Sequence, residues 1–213
     1  MIRALLESGF PASLSFLSGG ERARAASLRV ARRRDEFLLG RWAAKRLIAS
    51  VLDCAPGSSL EVRAAPSGQP LAFLDGAALR LSISISHREG LALAALDEDG
   101  APLGADLERI EPRSAAFVRD YFTAPEMEAV ARGDAELLAN LIWSAKESAL
   151  KALGTGLRSD TRSIEVELGP PRAGSWQPLL LRGVPGLRGF WRRHEGHVLT
   201  IVGRPEDEPR LLP

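Results

Sequence analysis

Asp106 and Glu108 stand two residues apart in Gly104-Ala105-Asp106-Leu107-Glu108-Arg109, a segment whose alternation predicts a strand. Side chains two apart in a strand share a face, roughly 6.5–7 Å from one another along the chain. Two carboxylates at that spacing repel unless a cation or a base lies between them. Oxygen ligands without Cys or His favour Mg²⁺ or a similar hard ion. The ordinary alternative is a solvent-facing edge strand with Arg109 alongside. Glu147 lies on a helix, with Lys151 following at i+4, the favoured orientation of such a pair. Trp143 and Leu150 flank it on the same side, so that face reads as covered, and a third carboxylate would meet Asp106 and Glu108 from across the fold. His87 ends a strand beside the turn Arg88-Glu89-Gly90, where a rigidly held imidazole can reach a ligand. Ser86-His87 is no nucleophile pair, because strand neighbours diverge. His194 and His197 are an odd interval apart and read as structural.

The elements that must hold these groups follow from periodicity. Residues 19–53 read as helical, with Leu38, Trp42, Ala43, Leu47, Ile48 and Leu52 at three- and four-residue spacing. Residues 55–78 are rich in Ala, Pro and Gly. Leu79, Leu81, Ile83 and Ile85 alternate with Arg80, Ser82, Ser84 and Ser86, which predicts a half-buried strand ending at His87. Strands at Leu91–Leu96 and Leu103–Ile110 complete an expected antiparallel meander. Thr123-Ala124-Pro125-Glu126 is a capping box opening a helix at about Ala124. A longer helix runs from about Ala135 to Leu153 and stops at Gly154-Thr155-Gly156. Strands are expected around Ile164–Leu168, Pro178–Arg182, Gly189–His194 and His197–Val202. Helix-then-strands occurs twice, so the fold class is α+β in two halves, 1–102 and 103–213, with no obvious sequence repeat.

The chain has 213 residues, 45% hydrophobic and 26% charged, with a net charge of +1 and one cysteine, Cys54. Those figures exclude a disulfide scaffold, collagen, a coiled coil and a disordered chain. No stretch approaches the ~20 apolar residues of a membrane span, and the start lacks a signal peptide's apolar run. The expectation is a soluble protein of a reducing cytoplasm with no membrane partner. Of 28 basic residues only Lys45, Lys146 and Lys151 are Lys, an imbalance that a G+C-rich genome explains. The segment from Glu21 to Arg46 carries nine basic against three acidic residues. An Arg-rich nucleic-acid-binding module would use that arm. It would leave Asp106, Glu108 and Glu147 unexplained, and no nucleic-acid partner is expected.

Ser84-Ile85-Ser86-His87, then Gly104-Ala105-Asp106-Leu107-Glu108, then Trp143-Ser144-Ala145-Lys146-Glu147-Ser148-Ala149-Leu150-Lys151 and the closing Gly154 to Leu157 stand in one order. In that order and spacing the chain resembles the 4′-phosphopantetheinyl transferases of the monomeric, two-subdomain (Sfp-like) type, from about Phe37 to Leu157. The resemblance implies two similar α+β subdomains related by a pseudo-twofold, with the active site at their interface. It implies transfer of the phosphopantetheine arm of coenzyme A to a serine of an apo acyl or peptidyl carrier protein, releasing adenosine 3′,5′-bisphosphate. Asp106, Glu108 and Glu147 would hold Mg²⁺. Glu147 would be the general base, and Lys151 with Lys146 would stabilise phosphate charge. Ser86, His87, Arg41 and Arg34 would contact coenzyme A, and the stretch from Arg113 to Gly133 would dock the carrier. Three positions depart from the family's pattern: Arg88 follows Ser-His, Gln69 replaces a turn lysine, and Ala105 replaces a bulkier residue. A non-catalytic binder of coenzyme A or of a carrier protein with the same fold is the remaining alternative.

Overall fold

The computed structural model describes residues 1–156, 159–204 and 208–213, so Leu157 of the closing motif lies outside the described residues. The chain forms two compact units, Met1–Ala101 with Arg210–Pro213, and Pro102–Pro209. The first unit holds β1 (Ile2–Glu7), α1 (Gly19–Ser27), α2 (Ala31–Leu52), β2 (Leu60–Ala64), β3 (Pro70–Leu74), β4 (Ala77–Ala78), β5 (Ser82–Arg88) and β6 (Leu91–Asp97). The second holds β7 (Gly104–Arg109), α3 (Ala115–Tyr121), α4 (Ala124–Arg132), α5 (Ala135–Ala152), β8 (Glu165–Leu168), β9 (Gln177–Arg182), β10 (Arg188–His194) and β11 (His197–Gly203). A last strand, β12 (Arg210–Leu212), returns to the first unit and pairs in parallel with β1.

In the first unit α2 lays Leu39, Ala43, Leu47 and Ile48 against Ala92, Ala94 and Leu96 of β6 and Leu60 and Val62 of β2. The helical span read over 19–53 is two helices, because Leu28 and Val30 are extended and part α1 from α2. The expected three-strand meander is a two-strand hairpin: β5 pairs with β6, while β7 joins β11 in a different sheet. Nor is β5 polar-faced on one side. Ser84 and Ser86 are buried alongside Ile83, and Ile85 is only half-buried, so both faces of the strand are covered.

The second unit is an antiparallel sheet in the order β7-β11-β10-β9-β8, with α5 packed on β7 and β11. Leu141, Ile142, Ala145 and Ala149 of α5 are buried against Val198 and Val202 of β11. Ser144 and Ser148 meet the Thr200 hydroxyl at 2.8 and 2.7 Å, joining helix to sheet by a buried polar contact. Gly104 explains how closely the helix can lie. A Cβ there would stand 1.8 Å from the Ser148 carbonyl oxygen and 2.8 Å from the Ala152 nitrogen, both backbone atoms. Gly104→Ala is therefore expected to push α5 off β7 and lower the unfolding midpoint by roughly 5 °C or more, given overpacking costs of about 1–3 kcal/mol. A calorimetric scan of the variant checks this; an unchanged midpoint would show that the helix yields freely.

The two units repeat one buried polar device. In the first, Ser18 N–H donates to Glu21 Oε2 at 2.8 Å and Val62 N–H to Glu21 Oε1 at 3.0 Å. Lys45 Nζ reaches the same carboxylate at 2.5 Å and the Phe16 carbonyl at 2.6 Å. In the second, Thr123 N–H donates to Glu126 Oε2 at 2.7 Å and Val166 N–H to Glu126 Oε1 at 2.7 Å. Lys146 Nζ lies 2.9 Å from Glu126 and donates to the carbonyls of Thr161 and Ile164 at 2.8 and 2.6 Å. Each device ties the start of a short helix, one strand edge and the middle of the long helix together. The long helices match as well: Trp42-Ala43-Ala44-Lys45 corresponds to Trp143-Ser144-Ala145-Lys146. The repeat that the sequence hides is thus present as equivalent hydrogen bonds.

Candidate functional site

Within the second unit, β7 and α5 assemble the acidic cluster. Asp106 lies opposite Thr200 in the ladder and Glu108 opposite Val198, so both carboxylates stand on the sheet face that α5 covers. Lys151 Nζ donates to Asp106 Oδ1 at 2.7 Å and to the Ala105 carbonyl at 3.0 Å. Glu108 is held differently. Arg113, stacked 4.9 Å from the Phe117 ring centroid, donates from Nη2 to Glu108 Oε2 at 3.0 Å and from Nε to Asn140 at 2.6 Å. Asn140 in turn donates to the carbonyls of Glu111 and Glu136. Glu147, half-buried one turn before Lys151, has its carboxyl pushed above the ordinary range, first by burial and then by the charges of Asp106 and Glu108; Lys151 opposes them. A carboxylate in that condition binds a proton more readily, the property a general base needs near neutral pH.

Among the described residues, no group of three or more His, Cys, Asp or Glu stands close enough to hold a metal ion as it is. Asp106 and Glu108 are turned to Lys151 and Arg113 instead. The donor set nonetheless suits a hard cation. It offers oxygen alone, and Asp106 and Glu108 act on Glu147 as unfavourable neighbours that a divalent ion would neutralise.

Lys146 requires a correction. Its ammonium has three N–H groups, and the structure gives them Glu126 and two backbone carbonyls in a fully buried setting. Burial depresses its affinity for a proton, and Glu126 opposes that effect only in part. No N–H is left to stabilise a phosphate, so Lys146 is a fold determinant and Lys151 is the lysine of the cluster.

The first unit carries a basic cavity of about 420 Å³, lined by residues that include Arg24, Arg33, Arg41, Phe37, Gly40, Gly68 and His87. Arg41 stacks over Phe37 at 4.5 Å, and its guanidinium is pulled below its ordinary range by burial, with Glu21 opposing and Arg24 reinforcing that effect. His87 Nδ1 faces Glu36 at 3.8 Å. Ser86 is buried on β5, one residue before His87. Arg34 is exposed and does not line this cavity; its neighbour Arg33 does. Arg24 and Arg33 line the cavity as well, and sequence reasoning did not single them out. Their signal was the charge of the arm, but choosing among its arginines needs the break between α1 and α2. Gln69 is likewise not a lining residue, whereas Gly68 is.

The 4′-phosphopantetheinyl transferase superfamily matches residues 102–202, nearly the span of the second unit. A protein of Synechocystis sp., named as a candidate 4′-phosphopantetheinyl transferase, is 28% identical over 159 residues, covering 72% of this chain and 63% of the relative. The L-aminoadipate-semialdehyde dehydrogenase-phosphopantetheinyl transferase of Eremothecium gossypii is 33% identical over 144 residues, covering 60% of this chain and 51% of the relative. The chain thus spans between half and two thirds of the length of these relatives. Over residues 102–202 the chain is similar to the 4′-phosphopantetheinyl transferase superfamily.

Proposed function

We propose that the protein transfers the 4′-phosphopantetheine arm of coenzyme A to the serine hydroxyl of an apo acyl or peptidyl carrier protein. The observation that carries the reading is Glu147, a half-buried carboxyl with raised proton affinity set beside Asp106, Glu108 and Lys151. Glu147 accepts the serine proton as the serine oxygen attacks the phosphorus attached to pantetheine. The phosphorus–oxygen bond of the pyrophosphate breaks, and adenosine 3′,5′-bisphosphate leaves. Lys151 lies next to this charge and offers it an ammonium. A hard divalent ion such as Mg²⁺, on oxygens of Asp106, Glu108 and Glu147, would supply further neutralisation of pyrophosphate charge. Arg113 fixes the Glu108 carboxylate. In the first unit, the cavity walled by Arg24, Arg33, Arg41 and His87 suits a phosphorylated nucleotide. His87, with Nδ1 facing Glu36, places an imidazole at the same cavity.

The test is direct. The protein is incubated with coenzyme A, Mg²⁺ and a panel of apo carrier proteins from fatty-acid, polyketide and nonribosomal-peptide systems, and each carrier is weighed by mass spectrometry. Addition of one phosphopantetheine group to at least one carrier is expected, abolished by chelation. An unchanged mass across the whole panel would refute the reading and leave a coenzyme A or carrier binder.

A further inference from the structure

The repeated ion-pair device contains its own control. Glu21 and Glu126 each accept a helix-start N–H, a strand N–H and a buried lysine. The residue before Trp42 is Arg41, and the residue before Trp143 is Ile142, which is buried. The scaffold therefore accepts an isoleucine at this position, and an arginine is not needed to build it. Arg41 brings a cost instead, because its guanidinium is largely desolvated. Glu21 meets two positive charges, Lys45 and Arg41, while Glu61, which also faces Lys45, is paired with Arg63, so the carboxylates fall one charge short of the cations they face. That surplus stands on the wall of the basic cavity.

A long guanidinium side chain needs restraint to present that charge in one place. Phe37 covers one face of the guanidinium at 4.5 Å. Glu21 Oε1, itself fixed by the Val62 N–H, faces Arg41 Nε at 3.8 Å, an ion pair longer than a hydrogen bond. Both glutamate oxygens are anchored to backbone, so the carboxylate is a rigid reference point.

We infer that Glu21 is a positioning residue for the cavity: it holds the Arg41 guanidinium at the wall and thereby sets affinity for the phosphorylated nucleotide end of coenzyme A. This rests on the cavity's role in the function proposed above. Glu21 touches no ligand itself; its effect passes through Arg41. Glu126, with Ile142 beside its lysine, has only the structural half of the task.

A double-mutant cycle tests it in the full chain, with adenosine 3′,5′-bisphosphate titrated calorimetrically as the probe. Arg41→Ile, which copies the second unit, is expected to weaken binding about tenfold or more. Glu21→Gln is expected to weaken it severalfold, and Glu21→Gln added to Arg41→Ile should change affinity by less than about twofold. Lys45→Met, which breaks the same buried pair but leaves Glu21 facing Arg41, should lower the unfolding midpoint and keep affinity within about twofold. If Glu21→Gln does not fold, Glu21→Gln/Lys45→Met takes its place, with Lys45→Met as reference. Multiplicative losses in the cycle, or an affinity loss in Lys45→Met equal to that in Glu21→Gln, would make Glu21 merely structural and overturn the inference. Unchanged affinity in Glu21→Gln beside a weakened Arg41→Ile would also remove the positioning role alone. Unchanged affinity in Arg41→Ile would overturn the cavity assignment itself.

Discussion

Replacing Glu147 by glutamine is expected to lower kcat for phosphopantetheine transfer about 10²–10⁴-fold, the contribution of a positioned general base, while raising stability at neutral pH. The two effects share one cause. Burial, Asp106 and Glu108 all favour the protonated form of Glu147 against the single opposing influence of Lys151. A group whose folded pKa lies above its unfolded value contributes stability that is full below the unfolded pKa and is lost as pH rises through the folded one. At neutral pH the ionised Glu147 is therefore an expense to the fold, and glutamine removes it. Denaturant melts in the presence of a chelator should show the variant more stable than the parent near pH 7, with the gap closing as pH falls through the carboxylate range. The active protein should likewise lose kcat/KM on its acid side at a higher pH than an ordinary exposed glutamate would give. A variant with near-parental turnover would take Glu147 out of the chemistry. One that loses turnover with no gain in stability would leave it as base but deny that its environment is strained.

The two lysines of α5 should separate cleanly. Lys146→Met leaves Glu126 buried with only its two backbone donors, and breaking a buried pair from one side costs about 3–5 kcal/mol. Its unfolding midpoint should fall sharply, yet kcat measured well below that midpoint should hold. Lys151→Ala should do the reverse. Lys151 is partly exposed beside Asp106, so its pair contributes on the order of 1 kcal/mol or less to the fold. Removing its ammonium should lower kcat about 10²–10³-fold, as for loss of a positioned charge donor. Parallel melts and single-turnover rates decide it. If Lys146→Met loses turnover in the folded state as steeply as Lys151→Ala, both lysines act on the reaction.

That contrast shows what the sequence could and could not convey. Asp106, Glu108, Glu147 and Lys151 were legible because strand and helix periodicities aim them, and the structure gathers them on β7 and α5. Lys146 was misread because a motif reports order along a helix, whereas its role depends on Glu126, Thr161 and Ile164, brought to it by the tertiary fold. The capping box at Thr123 was read, but its counterpart at Ser18 was not, since Gly19-Gly20 lacks the proline that made the other conspicuous. Ser84 and Ser86 looked solvent-facing on alternation alone, which cannot tell whether a second face is covered. Arg33 replaced Arg34 at the cavity because one residue on a helix turns a side chain by about 100°, and the phase of α2 follows from where α1 stops.

The pairing of β12 with β1 has a consequence for biosynthesis. Strand β1 leaves the ribosome before its parallel partner Arg210–Leu212, with the second unit between them in the chain. Domains fold in the order of their synthesis, so the first unit must wait, with one edge of β1 bare, while the whole of Pro102–Pro209 is translated. A bare strand edge invites pairing with other chains. The nascent chain is therefore exposed to misassembly during that interval, and the first sheet is completed only after the second unit has been translated.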